Sequence, residues 1–124
     1  MYILDSSAII EIIHGSEKGK KVLDIIKSSP VATTVFSIYE VFMGVKEKYR
    51  NMTLDFFANL PILIFTRADA LQSIEIDKDL ERAGKKINLL DTFIAAICTI
   101  NKQTLITFDN HFDNIKRLDV KIVS

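Results

Sequence analysis

The chain has 124 residues, 48% of them hydrophobic, and its sixteen Lys and Arg balance sixteen Asp and Glu to a formal net charge of zero. That length accommodates one domain with one core and leaves no room for a second. The even charge excludes the basic character of a general nucleic-acid binder, and no apolar run approaches the ~20 residues of a membrane span.

From the N-terminus, YILD is a short apolar run ending in Asp5, and SAIIEIIHG has helical spacing up to Gly15, together a strand followed by a helix. After the lysine-rich EKGKK, the segment KVLDIIKS puts Val22, Ile25 and Ile26 on one helical face before Pro30 stops it. VATTVF is short, rich in β-branched residues and largely apolar, as in a strand buried on both faces. From Ser37 the spacing of Ile38, Val41, Phe42 and Val45 turns helical again through SIYEVFMGVKEKY.

LDFFANL reads as a further helix and PILIF as a short strand; positions 68 to 85 read as a long helix ended near Gly84. LLDTFIAAICTINK is an apolar helix, TLITFD a strand and VKIV a last short strand. This alternation predicts a single α/β domain over residues 1–124, a parallel sheet flanked by helices on both faces. The lone cysteine, Cys98, lies inside FIAAICTI, where it suits a buried small side chain in a reducing compartment better than a disulfide or zinc ligand. The opening segment has neither a basic leader nor a cleavage site ahead of Asp5, so a cytoplasmic protein without membrane attachment is expected.

Four acids hold comparable places in the alternation: Asp5 ends the first strand, Glu40 and Asp91 open helices, and Asp109 follows TLITF. All four are expected on one edge of the sheet, where open α/β folds keep their ligand sites. Each also has a plain structural role available. Asp5 is a good N-cap, Ser37 and Glu40 match the S-x-x-E capping box, Asp91 in a first turn suits the helix dipole, and Asp109 before Asn110 suits a turn. Gathered together, carboxylates repel one another unless a cation compensates. Mg²⁺ or Mn²⁺, as one or two ions, matches all-oxygen donors and is the cofactor of phosphodiester hydrolysis by an activated water.

YILDSSAII, SIYEVFMG, LLDTFIAA and TLITFDNHF, in this order, resemble the four motifs of the PIN domain, a resemblance running from Tyr2 to Val123. The string Asp91-Thr-Phe-Ile-Ala-Ala is its most specific part, and Leu89 and Leu90 depart from the polar residue or Pro-Asn often found there. The resemblance implies a metal-dependent endoribonuclease. Asp5 and Asp91 would be direct metal ligands, Glu40 and Asp109 would complete the acidic pocket, and Ser7 and Thr107 would orient carboxylates by hydrogen bonds. It further implies the toxin of a VapBC toxin-antitoxin pair, with an RNA substrate, a small VapB-type antitoxin as partner, and a homodimer.

Around this constellation, Lys85 and Lys86 are placed to meet RNA phosphates shortly before Asp91, ahead of Lys18, Lys20 and Lys21. His111 reads as a loop histidine and His14 as a helix-end residue. Tyr39, Phe42 and Met43 are candidates for a groove that takes an antitoxin helix, and FFANLPILIF belongs to the core or to a contact surface. Two alternatives stand beside the nuclease: a PIN-fold RNA- or protein-binding module without catalysis, and a receiver-type phosphoacceptor with Asp55 as the acceptor. Asp5 followed by two serines lacks the acidic pair of a receiver, and NMTL before Asp55 is a poor buried strand.

Overall fold

The computed structural model describes residues 1–124. Five strands, β1 (Tyr2–Leu4), β2 (Val31–Thr34), β3 (Ile62–Leu63), β4 (Thr104–Thr107) and β5 (Val120–Ile122), form one parallel sheet in the order β3-β2-β1-β4-β5. Side-chain alternation along the two central strands builds two cores. Ile3 and Leu105 face one side, packed with Ile76 and Leu80 of α5 (Arg67–Arg82) and Ile94 of α6 (Leu89–Ile100). Leu4 and Ile106 face the other, against Ile9 and Ile13 of α1 (Ser6–His14), Val22 of α2 (Glu17–Ile26) and Val41 of α3 (Val35–Gly44). The two-faced α/β arrangement is the expected one.

The chain leaves β1 toward β2 on one side, whereas β4 lies on the other, so β1 and β4 flank the point where strand order reverses. In such sheets a crevice opens there, beyond the carboxyl ends of the strands.

Three boundaries differ from the sequence reading. EKGKK, placed ahead of the helical segment, forms the first half of α2. VATTVF divides: the strand stops at Thr34, whose hydroxyl accepts from the Ser37 N–H as the N-cap of α3, and Val35 and Phe36 are already helical. Apolar β-branched runs satisfy a buried strand and a buried helix start equally well, and here the cap decides. The helix expected through Tyr49 breaks after Gly44 into a 3₁₀ turn at Glu47–Tyr49, which leads into α4 (Arg50–Ala58).

The corner between α1 and α2 is tightly built. Gly15 adopts the left-handed conformation (φ 66°), and the N–H groups of Gly15 and Ser16 close onto the carbonyls of Ile12 and Glu11 at 3.1 and 3.3 Å. Ser16 then caps α2 by accepting from Gly19 N–H at 3.0 Å. At Gly19 a Cβ would stand 2.3 Å from the Glu11 carbonyl oxygen, so only glycine lets α2 cross this close to α1.

Candidate active site

Asp5 follows the last residue of β1 and is 4% exposed. Its carboxylate caps α1 by accepting from Ala8 N–H (3.0 Å), takes the Ser7 hydroxyl on the same oxygen (2.7 Å), and takes the Thr107 hydroxyl on the other. Thr107, the last residue of β4, also accepts from Asp109 N–H at 3.0 Å. Ser7 accepts from Phe108 N–H at 3.0 Å. Residues about a hundred positions apart are therefore bound across the β1–β4 crevice, with Ser7 and Thr107 touching Asp5 as the sequence reading expected.

Asp91 is 7% exposed in the first turn of α6. Asn88, the N-cap, holds it from both directions: Asn88 Oδ1 accepts from Asp91 N–H (2.9 Å), and Asn88 Nδ2 donates to the Asp91 carboxylate (2.7 Å). Sequence reasoning overlooked Asn88, although N-x-x-D at the head of an apolar helix was a legible capping signal.

Glu40 does not open its helix, which corrects the capping-box reading. It is the sixth residue of α3, well past the Thr34 cap, and is half-buried with Ser6 Oγ donating to its carboxylate at 3.2 Å. Its capping role is thereby removed. Asp109 caps the 3₁₀ turn at Asn110–Asn114 by accepting from His111 N–H at 2.9 Å, with His111 Nδ1 a further 3.0 Å contact.

The electrostatics bring the four acids together. Burial pushes the Asp5 carboxyl up to about 6 against the lowering effect of its Thr107, Ala8 and Ser7 hydrogen bonds, and the charge of Glu40 adds to the rise. Asp91 is also pushed up to about 6, first by burial and then by the charges of Glu40, Asp109 and Asp5. Glu40 lies above the usual carboxylate range because of burial. No lysine or arginine forms an ion pair with any of them.

Such a set of hard oxygen donors, desolvated and mutually repelling, fits a divalent cation of the Mg²⁺ or Mn²⁺ kind. No three His, Cys, Asp or Glu side chains make a group that could hold an ion alone; Mg²⁺ can bind through one or two carboxylates with waters completing its shell.

A family model described as PIN domain matches residues 2–118. The chain belongs to the PIN domain family. Among solved structures, this PIN domain is similar to VapBC2 from Rickettsia felis bound to a promoter DNA fragment, with a TM-score of 0.81 at 22% identity over 99% of this chain and 98% of that one. It is similar to FitAcB from Neisseria gonorrhoeae, with a TM-score of 0.76 at 24% identity over 100% and 97% of the two chains. It also resembles VapC20 from Mycobacterium tuberculosis, described as a sarcin-ricin loop cleaving toxin, with a TM-score of 0.75 at 13% identity over 97% and 98%. No curated protein matches the sequence.

The receiver alternative falls with the family and the sheet: Asp55 is exposed within α4 and ends no strand. Of the two lysines favoured for phosphate contact, Lys86 is engaged with Asp77 at 3.3 Å, while Lys85 is exposed without an ion pair. Cys98 is a free, buried thiol whose pKa burial pushes up, an inert core residue. No helix is long and apolar enough to cross a membrane.

Proposed function

We propose that this PIN domain is a metal-dependent endoribonuclease acting as the toxin of a VapBC-type toxin-antitoxin pair. The observation that carries the reading is the pair of buried carboxylates, Asp5 and Asp91, held at the sheet's switch point with Glu40 and Asp109 and with no lysine or arginine to neutralise them. Carboxylates kept at such a cost without a structural partner mark a functional site.

Asp5 and Asp91 would hold the Mg²⁺ or Mn²⁺ ion or ions directly, and Glu40 and Asp109 would complete the pocket. When bound, a divalent ion supplies the charge that polarises a phosphodiester oxygen and lowers the pKa of an attacking water. The protein's own contribution is positioning. Ser7, Thr107 and Ala8 N–H fix both oxygens of Asp5, Asn88 fixes Asp91, and Ser6 steadies Glu40. Protons compete with the ion for Asp5 and Asp91, whose carboxyls stand near 6 without a metal, so cleavage at limiting Mg²⁺ is expected to fall as pH drops through about 6 and to persist to lower pH as Mg²⁺ is raised.

RNA as substrate is supported by the likeness to the sarcin-ricin loop cleaving toxin, and an antitoxin partner by the likeness to VapBC structures. Tyr39 and Met43 are 63% and 71% exposed on α3, beside Phe42, which packs on Phe57 of α4. We assign this apolar face to the antitoxin helix, and protection of α3 from hydrogen exchange on adding a VapB-type antitoxin would check it. Exposed Ile74 and Leu89, which line an apolar cleft with Phe65 and Phe93, are assigned to the homodimer contact. A cytoplasmic setting accords with the free Cys98 thiol.

The deciding experiment is cleavage of a structured RNA pool with Mg²⁺, Mn²⁺ or EDTA, beside a folded Asp91→Asn variant. The expected result is cutting that requires the ion and falls more than ~100-fold in the variant. Equal cutting in EDTA or in the variant would refute the assignment.

A further inference from the structure

One cleft of about 260 Å³ is lined by Ser7, Ile10, Glu11, Lys18 and Phe108. Ser7 belongs to both places: its hydroxyl donates to Asp5 and accepts from Phe108 N–H, so the cleft and the acidic site share a wall. Lys18 Nζ stands 5.7 Å from the centroid of the Phe108 ring, a cation over an aromatic face. Neighbouring lysines are otherwise employed, Lys20 with Glu17 at 3.1 Å and Lys21 with the Ser124 carbonyl at 2.8 Å. Lys18 has no carboxylate within ion-pair distance.

We propose that Lys18 and Phe108 form a nucleotide subsite for single-stranded RNA next to the acidic centre, Lys18 taking the phosphate and Phe108 with Ile10 walling the attached base. This deepens the ribonuclease reading and rests on it. The four acids repel a polyanion, so a strand laid across them needs a cation nearby, and Lys18 is the cation of the cleft that shares Ser7 with the acidic site. The cleft is smaller than the ~300–1,000 Å³ that encloses a whole small ligand, which suits one base and not a folded RNA element. Glu11 on its lining disfavours a second phosphate and offers an acceptor to base N–H groups. Position is secured by the backbone. Lys18 adjoins Gly19, whose missing Cβ lets α2 lie against the Glu11 carbonyl, so the ammonium is carried by a rigid corner instead of a free loop.

RNA binding by the non-cleaving Asp91→Asn protein, read by fluorescence anisotropy of a short single-stranded RNA over a salt series, tests the subsite alongside steady-state cleavage by the active protein. Lys18→Gln in each background is expected to weaken binding and raise KM roughly fivefold, leave kcat within about twofold, and reduce the slope of log K against log salt by about 0.7, the loss of one phosphate contact on a single strand. Phe108→Leu, which keeps an apolar core side chain, is expected to weaken binding with the salt slope unchanged. Lys78→Gln, an equal charge change at an exposed position of α5 on the opposite face of the sheet, controls for net charge and is expected to alter neither. RNA binding and cleavage with an unaltered slope in Lys18→Gln, or an equal change in Lys78→Gln, would overturn the subsite while leaving the nuclease intact. No RNA binding by any form would overturn both.

Discussion

Two groups of acids in this molecule are treated in opposite ways. Asp79 on α5 is clasped by Arg82 and Arg117, each at 2.6 Å, and these guanidiniums, Arg117 above all, hold its carboxyl below the usual range. Asp91, at the head of the neighbouring helix, has no cation; burial and three other acids push it up to about 6. The first arrangement ties α5 to the segment leading into β5 at the surface, where an ion pair contributes little and is screened by salt. The second opposes stability, which is the pattern of a functional site and not of a structural pairing. Where a fold leaves its carboxylates unpaired is therefore more informative than where it pairs them.

The largest effect that would sharpen this contrast short of deleting an acid is expected at Thr107, whose buried hydroxyl donates to Asp5 and accepts from Asp109 N–H. Thr107→Val keeps the shape and removes both bonds, freeing one oxygen of Asp5 and the Asp109 N–H. Activity should fall about 10- to 100-fold, and because the Thr107 bond lowers the Asp5 pKa, the acid limb of the pH profile should move to higher pH. A rate loss with an unmoved limb would assign Thr107 to packing alone.

A smaller effect concerns stability without divalent ions. Asp91 is pushed up to about 6 from the ordinary carboxyl value of 3.8, so the fold binds this proton more tightly than the unfolded chain does. Its stability penalty is complete above about pH 6 and disappears as pH falls toward the unfolded value. Asp91→Asn should therefore raise Tm by about 5 °C at pH 7, with the gain vanishing near pH 4, and added Mg²⁺ should stabilise the wild type more than the variant. A variant less stable than the wild type at pH 7 would break the contrast.

Asp79→Asn is the counterpart and the smallest change. Its lowered pKa means that the pair contributes stability above the ordinary carboxylate value and loses it as pH falls through the folded one. The substitution should lower Tm slightly at pH 7, less so at high salt, with cleavage unaffected. A loss of activity there would show that the two acidic regions are coupled.

The family motifs, the alternation of elements and the acids at their junctions were legible because apolar periodicity and capping chemistry act over a few residues. Glu40 was placed on the right edge for the wrong reason. Ser37 and Glu40 match a capping box, yet Thr34 takes the cap one turn earlier and leaves Glu40 inside α3, facing Ser6. Lys86 looked available and is paired with Asp77, whereas Lys18, ranked below it, lies over Phe108 beside the site. Charge runs show which residues are solvated, not which neighbours another helix brings within reach.

By itself the sequence determined that this chain is an α/β protein of PIN type and singled out Asp5, Glu40, Asp91 and Asp109 as the candidate site, since those signals are local patterns of side-chain type. Only the tertiary structure decided that Thr107 and Ser7 meet at Asp5 across the β1–β4 crevice, that no lysine or arginine pairs with the carboxylates, and that Lys18 shares a cleft with Ser7 and Phe108. These depend on strand register and helix crossing, which are settled by contacts between residues far apart in the chain and leave no short-range mark on it.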